Sequence, residues 1–168
     1  MTLKYYLSLG SNIEPRLEYL QKACDKLISF GQISKVSSLY ETEAWGNTNQ
    51  DNFYNVMIEY NSILRPRRLL TELKTIEKNI GRNSVNHWSA REIDIDIIFC
   101  QNYCIDEPDL QIPHTEFSRR RFILVPMKEI NRNFLIPDTK LTITDYLDAC
   151  QDLSRIHKLA INWWENGN

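Results

Sequence analysis

At 168 residues and 19.9 kDa, with 42% apolar and 25% charged residues, the chain has the composition of one globular domain over residues 1-168 and not of a disordered or fibrous polymer. A formal net charge of -2 and a pI near 5.9 argue against a broad nucleic-acid footprint, although Arg119, Arg120 and Arg121 form one local basic cluster. No run approaches the roughly 18 apolar residues of a membrane span, and the apolar stretch in "MTLKYYLSLGSN" is short for a secretory leader, so a cytoplasmic address is expected.

Lys4 to Leu9 reads as a first strand with Tyr5, Leu7 and Leu9 on one face, and Gly10, Ser11 and Asn12 read as the turn after it. Pro15 suits the first turn of a helix, where its missing N–H costs nothing. Leu17, Leu20, Cys24, Leu27 and Ile28 then recur at helical spacing, with Gly31 as the expected stop. Ser34 to Thr42 reads as a second strand. Phe53 to Tyr60 reads as a third, with Tyr54, Val56, Ile58 and Tyr60 facing a core and Phe53 and Asn55 facing away.

Pro66 opens a second helix whose stripe runs Leu69, Leu73, Ile76 and Ile80 and ends at Gly81, with Glu77 at its edge. A polar loop, "RNSVNHWSAR", leads into "REIDIDIIF". There Ile93, Ile95 and Ile97 point one way, and Asp94 and Asp96 point the other. The order β-α-β-β-α-β predicts an α+β fold of ferredoxin-like type: an antiparallel sheet with two helices on one face, and helices on both sides once the C-terminal elements are added. Beyond it, "LQIPHTEFSRRRFILVPMKEI" mixes a short strand, a turn and a helix, "FLIP" reads as a further strand, and Thr142 to Cys150 as a helix. Cys24, Cys100, Cys104 and Cys150 lack paired metal spacing and read as reduced thiols.

Two aspartates on one strand face repel each other. A D-x-D pair reads either as solvated polar residues on a half-exposed strand or as a pair relieved by a hard cation. Magnesium takes one or two protein carboxylates and completes its shell with water and phosphate oxygens, so two aspartates suffice for a nucleotide site. Phe53 and Asn55 on the same face would suit a flat heterocycle with hydrogen-bonding edges. Arg82 and Arg91 bracket the loop containing His87 and Trp88, and guanidinium forks match phosphate oxygens. A surface loop is the plainer reading for those arginines alone. There is no Walker-type phosphate loop, no G-x-S-x-G elbow and no H-E-x-x-H helix.

In order, "LSLGSNIEPR", "SSLYETEAWG", "NFYNVMIEY", "IEKNIGR", "WSAREIDIDIIF" and "IPHTEFSRRRFILVP" closely resemble the 6-hydroxymethyl-7,8-dihydropterin pyrophosphokinase family, from about Leu3 to Pro137. The resemblance implies transfer of pyrophosphate from ATP to the pterin hydroxymethyl oxygen, with release of AMP and with two magnesium ions. It implies Asp94 and Asp96 as metal ligands, and Phe53 and Phe122 as the aromatic pair around the pterin. Thr42, Asn55 and the backbone near Trp45 would read the pterin edge. Glu77, Trp88, Ile97, His114 and Arg120 would contact ATP, with Arg82 and Arg91 as the catalytic arginines. The loops from Glu43 to Asn52 and from Arg82 to Ala90 would close over the substrates.

The chain departs from the family pattern at Ser84, often basic there, at Thr115, often tyrosine, and at Ser89 and Ala90, usually glycine and proline. The expected partners are ATP and the pterin, with no nucleic acid and no membrane, and the expected state is a monomer. Two other readings share the scaffold: a different magnesium-dependent phosphotransferase, and an RNA-binding module, which the acidic strand disfavours.

Overall fold

The computed structural model describes residues 1-44, 50-81, 90-101 and 103-165. The main sheet holds β1 (Leu3–Ser11), β2 (Gln32–Val36), β3 (Tyr40–Thr42), β4 (Phe53–Ser62), β5 (Asp94–Cys100) and β8 (Ile156–Lys158). Its order is β5-β1-β4-β3-β8, with β2 also paired to β4, and every pairing is antiparallel. Helices α1 (Arg16–Leu27) and α2 (Pro66–Ile80) follow β1 and β4, which completes the expected ferredoxin-like order.

One face of the sheet and these two helices form the larger core. Tyr5, Leu7, Leu9, Val56, Ile58, Tyr60, Ile93, Ile95 and Ile97 meet Leu20, Ala23, Cys24 and Leu27 of α1 and Leu69, Leu73 and Ile76 of α2. The alternation predicted from each strand holds here. Fully burying one such side chain contributes about 1.5 to 3 kcal/mol, so this core dominates stability.

The opposite face is only partly open. Helices α3 (Arg121–Asn131) and α4 (Ile143–Ala149) pack on it through Ile123, Leu124, Met127 and Ile143, against Tyr6, Met57 and Phe99. Phe99 reaches this second core because β5 carries a bulge. Tyr6 pairs with Phe99 and Leu7 with Ile97, leaving Ile98 as the extra residue and shifting the alternation by one.

Other expectations are revised. The single strand expected over residues 34-42 is two, because β2 ends at Val36; the Ser37 hydroxyl then accepts the Met57 N–H at 2.9 Å, and the chain rejoins β4 at Tyr40. Gly10 is not a turn residue but lies inside β1. Gly31 does not end α1, whose C-cap is Ile28. It is required instead by close approach, since a Cβ there would lie 2.3 Å from the Asn61 carbonyl oxygen. "FLIP" forms only an isolated bridge between Leu135 and Thr142, while a hairpin of β6 (Ile105–Glu107) and β7 (Leu110–Ile112) precedes a 3-10 turn at Phe117–Arg119. Among the described residues no helix is long and apolar enough to cross a membrane.

Candidate active site

The sheet register sets the site. Tyr40 of β3, Asn55 of β4, Gly10 of β1 and Asp94 of β5 stand opposite one another in a row across four strands, and Met57, Ser8 and Asp96 form the row beside it. Neighbouring strands lie about 4.8 Å apart, so Asn55 and Asp94 are separated by about 10 Å, with only Gly10 between them.

At one end of the row Asn55 Nδ2 donates to Thr42 Oγ1 at 2.7 Å, and both residues are buried. This bond fixes the amide so that its oxygen points back over β1. A Cβ on residue 10 would sit 2.6 Å from Asn55 Oδ1 and 3.6 Å from the Phe53 ring, so only glycine leaves space for both. Phe53 is half-buried beside Thr42, its cross-strand partner.

At the other end Asp94 and Asp96 share the open face. Burial raises the Asp96 carboxyl above the usual aspartate range, and the Asp94 charge raises it further, against the opposing influence of Lys74, His114 and Arg120. The pair is therefore a like-charge site that a cation would relieve, and its all-carboxylate donor set suits a hard ion such as magnesium. Among the described residues no group of three or more His, Cys, Asp or Glu forms a closed metal cage. An open pair is what a metal also bound by phosphate and water needs.

Cationic and polar groups close around this pair. The Arg91 guanidinium contacts the Asp94 carboxylate, and the Arg91 N–H donates to Asn12 Oδ1 at 2.7 Å. Asn12 returns its own N–H to the Arg91 carbonyl at 3.0 Å and donates through Nδ2 to Gln50 Oε1 and the Asp51 carbonyl. One buried asparagine thus joins both loops that flank the site.

Arg120, at the start of α3, interacts electrostatically with Asp96, Glu116 and Asp94, while burial lowers its pKa. Its guanidinium lies 5.8 Å from the centroid of the Phe122 ring. His114 is anchored by its N–H to the Ile98 carbonyl at 2.9 Å, and its Nδ1 accepts the Glu116 N–H. Burial lowers the His114 pKa, so the neutral ring predominates and carries its proton on Nε2.

Glu77 lies beneath the edge strand. It is 2% exposed, and its Oε1 accepts the Ile95 N–H at 2.7 Å and a Lys74 Nζ–H at 2.9 Å. Burial raises its carboxyl pKa, and the Asp94 charge adds to this. The two-residue period places the Ile97 main chain on the same outer edge, while the Ile97 side chain stays in the larger core.

Of the residues predicted for the site, Thr42, Phe53, Asn55, Asp94 and Asp96 share the open face of the sheet, and Arg91, His114, Arg120 and Phe122 border it. Glu77 and Ile97 line the β5 edge from the other side. Trp45, Arg82 and Trp88 lie outside the described residues. Gly10 and Asn12 were missed. For Gly10 the signal was present, since a glycine inside an alternating apolar strand marks a close approach; a buried asparagine making long-range bonds leaves no pattern in the sequence.

The family model for 7,8-dihydro-6-hydroxymethylpterin-pyrophosphokinase matches residues 6–132. The 2-amino-4-hydroxy-6-hydroxymethyldihydropteridine pyrophosphokinase of Aquifex aeolicus (strain VF5) is 41% identical over 132 residues, covering 79% of this chain and 82% of that protein. The Haemophilus influenzae protein of the same name is 31% identical over 149 residues, covering 88% and 92%. A Plasmodium falciparum HPPK-DHPS crystal structure superposes with a TM-score of 0.69 at 17% identity over 89% of this chain, and this chain spans 45% of its length. That likeness concerns the fold.

Proposed function

The chain belongs to the 7,8-dihydro-6-hydroxymethylpterin-pyrophosphokinase family, and we propose that the side chains on the open sheet face carry out that family's reaction. The protein transfers pyrophosphate from ATP to the hydroxymethyl group of 6-hydroxymethyl-7,8-dihydropterin, giving the pterin diphosphate and AMP, in folate biosynthesis. The observation that carries the assignment of roles is the row Tyr40–Asn55–Gly10–Asp94 together with the Asn55–Thr42 hydrogen bond, which sets a heterocycle-reading amide across one intervening strand from a cation-binding carboxylate.

In this reading Asn55 and Thr42 hydrogen-bond the pterin edge, with the backbone near Trp45 beside them, and Phe53 and Phe122 stack on its two faces. The pterin's hydroxymethyl arm then extends across Gly10 towards the aspartates. Its oxygen attacks the β-phosphorus of ATP while the bond from that phosphorus to the α,β-bridging oxygen breaks, the hydroxyl proton passes to solvent, and AMP departs with the bridging oxygen. Asp94 and Asp96 would hold magnesium, two ions in this reading, which when bound neutralises phosphate charge and polarises the attacking hydroxyl.

Arg91 and Arg82 stabilise charge on the transferring group, so Arg91 exchanges its contact with Asp94 for phosphate oxygens. Arg120 holds the phosphates from the α3 side. His114 donates to a phosphate oxygen from Nε2; with Nδ1 already accepting a backbone N–H, it has no free lone pair to act as a base. Glu77 and the Ile97 main chain form the nucleotide side of the cleft at the β5 edge, and Trp88 belongs to the loop that closes over ATP. Positioning and electrostatics supply most of the rate.

The reading includes one domain over residues 1-168, a monomer and a cytoplasmic location. Support comes from the chain's own helices covering both sheet faces and from dependence on the ATP pool. The test is phosphorus NMR of the protein with magnesium, ATP and 6-hydroxymethyl-7,8-dihydropterin. AMP and a pterin diphosphate are expected; ADP would instead identify a γ-phosphoryl kinase.

A further inference from the structure

Helix α3 starts in an unfavourable way. Its N-cap is Arg120, which makes no side-chain cap, and its first turn contains no acidic residue, although Arg119, Arg120 and Arg121 crowd that end. Pro126 lies inside the helix and has no N–H to return to the carbonyl four residues earlier, which is that of Phe122. The turn that carries Arg120 and Phe122 therefore lacks both a local cap and one of its internal hydrogen bonds.

The missing carboxylate comes from the C-terminal segment. Asp152 Oδ2 accepts the Arg121 N–H at 2.9 Å, between Arg120 and Phe122, and Asp152 Oδ1 accepts the Ser154 N–H at 2.9 Å. Three residues later the same segment reaches the opposite wall. The Arg155 N–H donates to Glu43 Oε2 at 3.1 Å, the Glu43 N–H donates to the Arg155 carbonyl at 3.3 Å, and Ile156 pairs with Thr42. The segment is then anchored by Trp163, whose indole N–H donates to the Ser37 carbonyl at 2.7 Å. The segment from Asp152 to Trp163 lies beyond the residues matched by the family model, which end at 132.

We propose that Asp152 is a positioning residue for Arg120 and Phe122, and that residues 152-156 act as a strap fixing the α3 wall of the cleft relative to the Thr42 wall. The proposal rests on the roles assigned above to Thr42, Arg120 and Phe122. Asp152 touches no substrate; it acts through the first turn of α3.

The test compares D152A, D152N and D145A by steady-state kinetics, thermal unfolding and amide hydrogen exchange. Asp145 is a suitable control because it caps α4 through Thr142, with the Thr142 N–H donating to it at 2.7 Å, and that end of α4 meets the far end of α3, where the Thr144 hydroxyl donates to the Arg132 carbonyl. D152A is expected to raise KM for the pterin and for ATP about fivefold, the factor corresponding to a lost cap of ordinary strength, and D152N less, because one acceptor oxygen survives. D145A is expected to lower Tm while leaving both KM values within about twofold of wild type, as distant sites do not couple.

Exchange of the Ile123 and Leu124 amides, which donate to the Arg120 carbonyl, should quicken in D152A only. Unchanged KM values with unchanged exchange in D152A would overturn the proposal, as would equal KM shifts in D145A. If the wild type makes no AMP but D152A still quickens exchange at those two amides, the strap stands and the assigned reaction fails.

Discussion

The side-chain oxygen of Asn55 lies 2.6 Å from the point where a Cβ on Gly10 would be, so the amide can reach Thr42 only because residue 10 has no side chain. Gly10→Ala should therefore displace Asn55 while leaving the strand paired. Overpacking of this kind costs about 1 to 3 kcal/mol, so pterin affinity should fall about tenfold or more. A fluorescence titration with pterin reads this directly, and unaltered affinity would mean that the amide does not contact the ligand.

Burial holds the Asp96 carboxyl above its usual range and the Asp94 charge raises it further, and Asp96→Asn removes one of these two like charges from the buried site. In magnesium-free buffer the variant should be more stable than wild type, with a higher Tm. Its Tm should also cease to rise when magnesium is added, and turnover should be largely lost. A magnesium-dependent Tm shift equal to that of wild type would remove Asp96 from the metal site.

Arg91 contacts Asp94 in the free protein, and its backbone is held separately by Asn12. Truncating the side chain should leave the loop attached. Arg91→Ala should slow single-turnover pyrophosphoryl transfer about a hundredfold, a typical loss for one transition-state donor, and weaken pterin binding much less. A larger effect on pterin binding than on the chemical step would contradict the assignment.

Glu77 supplies the acceptor for an edge-strand N–H that has no sheet neighbour on that side among the described residues. Glu77→Ala should cost about 1 to 3 kcal/mol, the penalty for a buried donor left unsatisfied. Glu77→Gln keeps an acceptor oxygen and should cost less. Urea unfolding of both variants checks the order, and equal losses would show that the charge matters more than the hydrogen bond.

Glu59 lies on the second-core face, away from the site, where it meets Lys4, Lys35, Ser34 and the Tyr6 hydroxyl. Burial acts to raise its carboxyl pKa, but Ser34 and the two lysines outweigh burial and hold it below the usual glutamate value. A carboxyl lowered in the folded state contributes stability above its unfolded value near about 4.3, and that stability is lost as pH falls through the folded value. The gap in unfolding free energy between wild type and Glu59→Gln should thus be largest at neutral pH and shrink in acid. A gap independent of pH would place the cost elsewhere.

Much of the architecture was legible because long strands write a clear alternation. Nine residues of β1, ten of β4 and seven of β5 were enough to assign faces, including the one that carries Asn55, Asp94 and Asp96. Three-residue strands carry too little pattern, which is why β3 merged with β2 and why β8 and β6 were not anticipated, although the short strand expected in "LQIPHTEF" is present as β7. The site's candidate ligands were legible as residue types at a fixed spacing. Its supports were not, since Asn12 meets Arg91 at a separation of 79 residues and Asp152 meets Arg121 at 31. Such contacts exist only once the fold has formed.

The extra residue in β5 gives the molecule an uneven tolerance for change. Ile98 ends the alternation that began at Asp94, and its carbonyl receives the N–H of His114, so the offset between the aspartates and the histidine is set by a count of backbone units. Exchanging the Ile98 side chain for another apolar one leaves that count intact. Deleting the residue would remove the bulge and leave Phe99 opposite Tyr6, but it would take away the carbonyl that holds His114 and draw the histidine along the strand, so this strand can drift in letters but not in length.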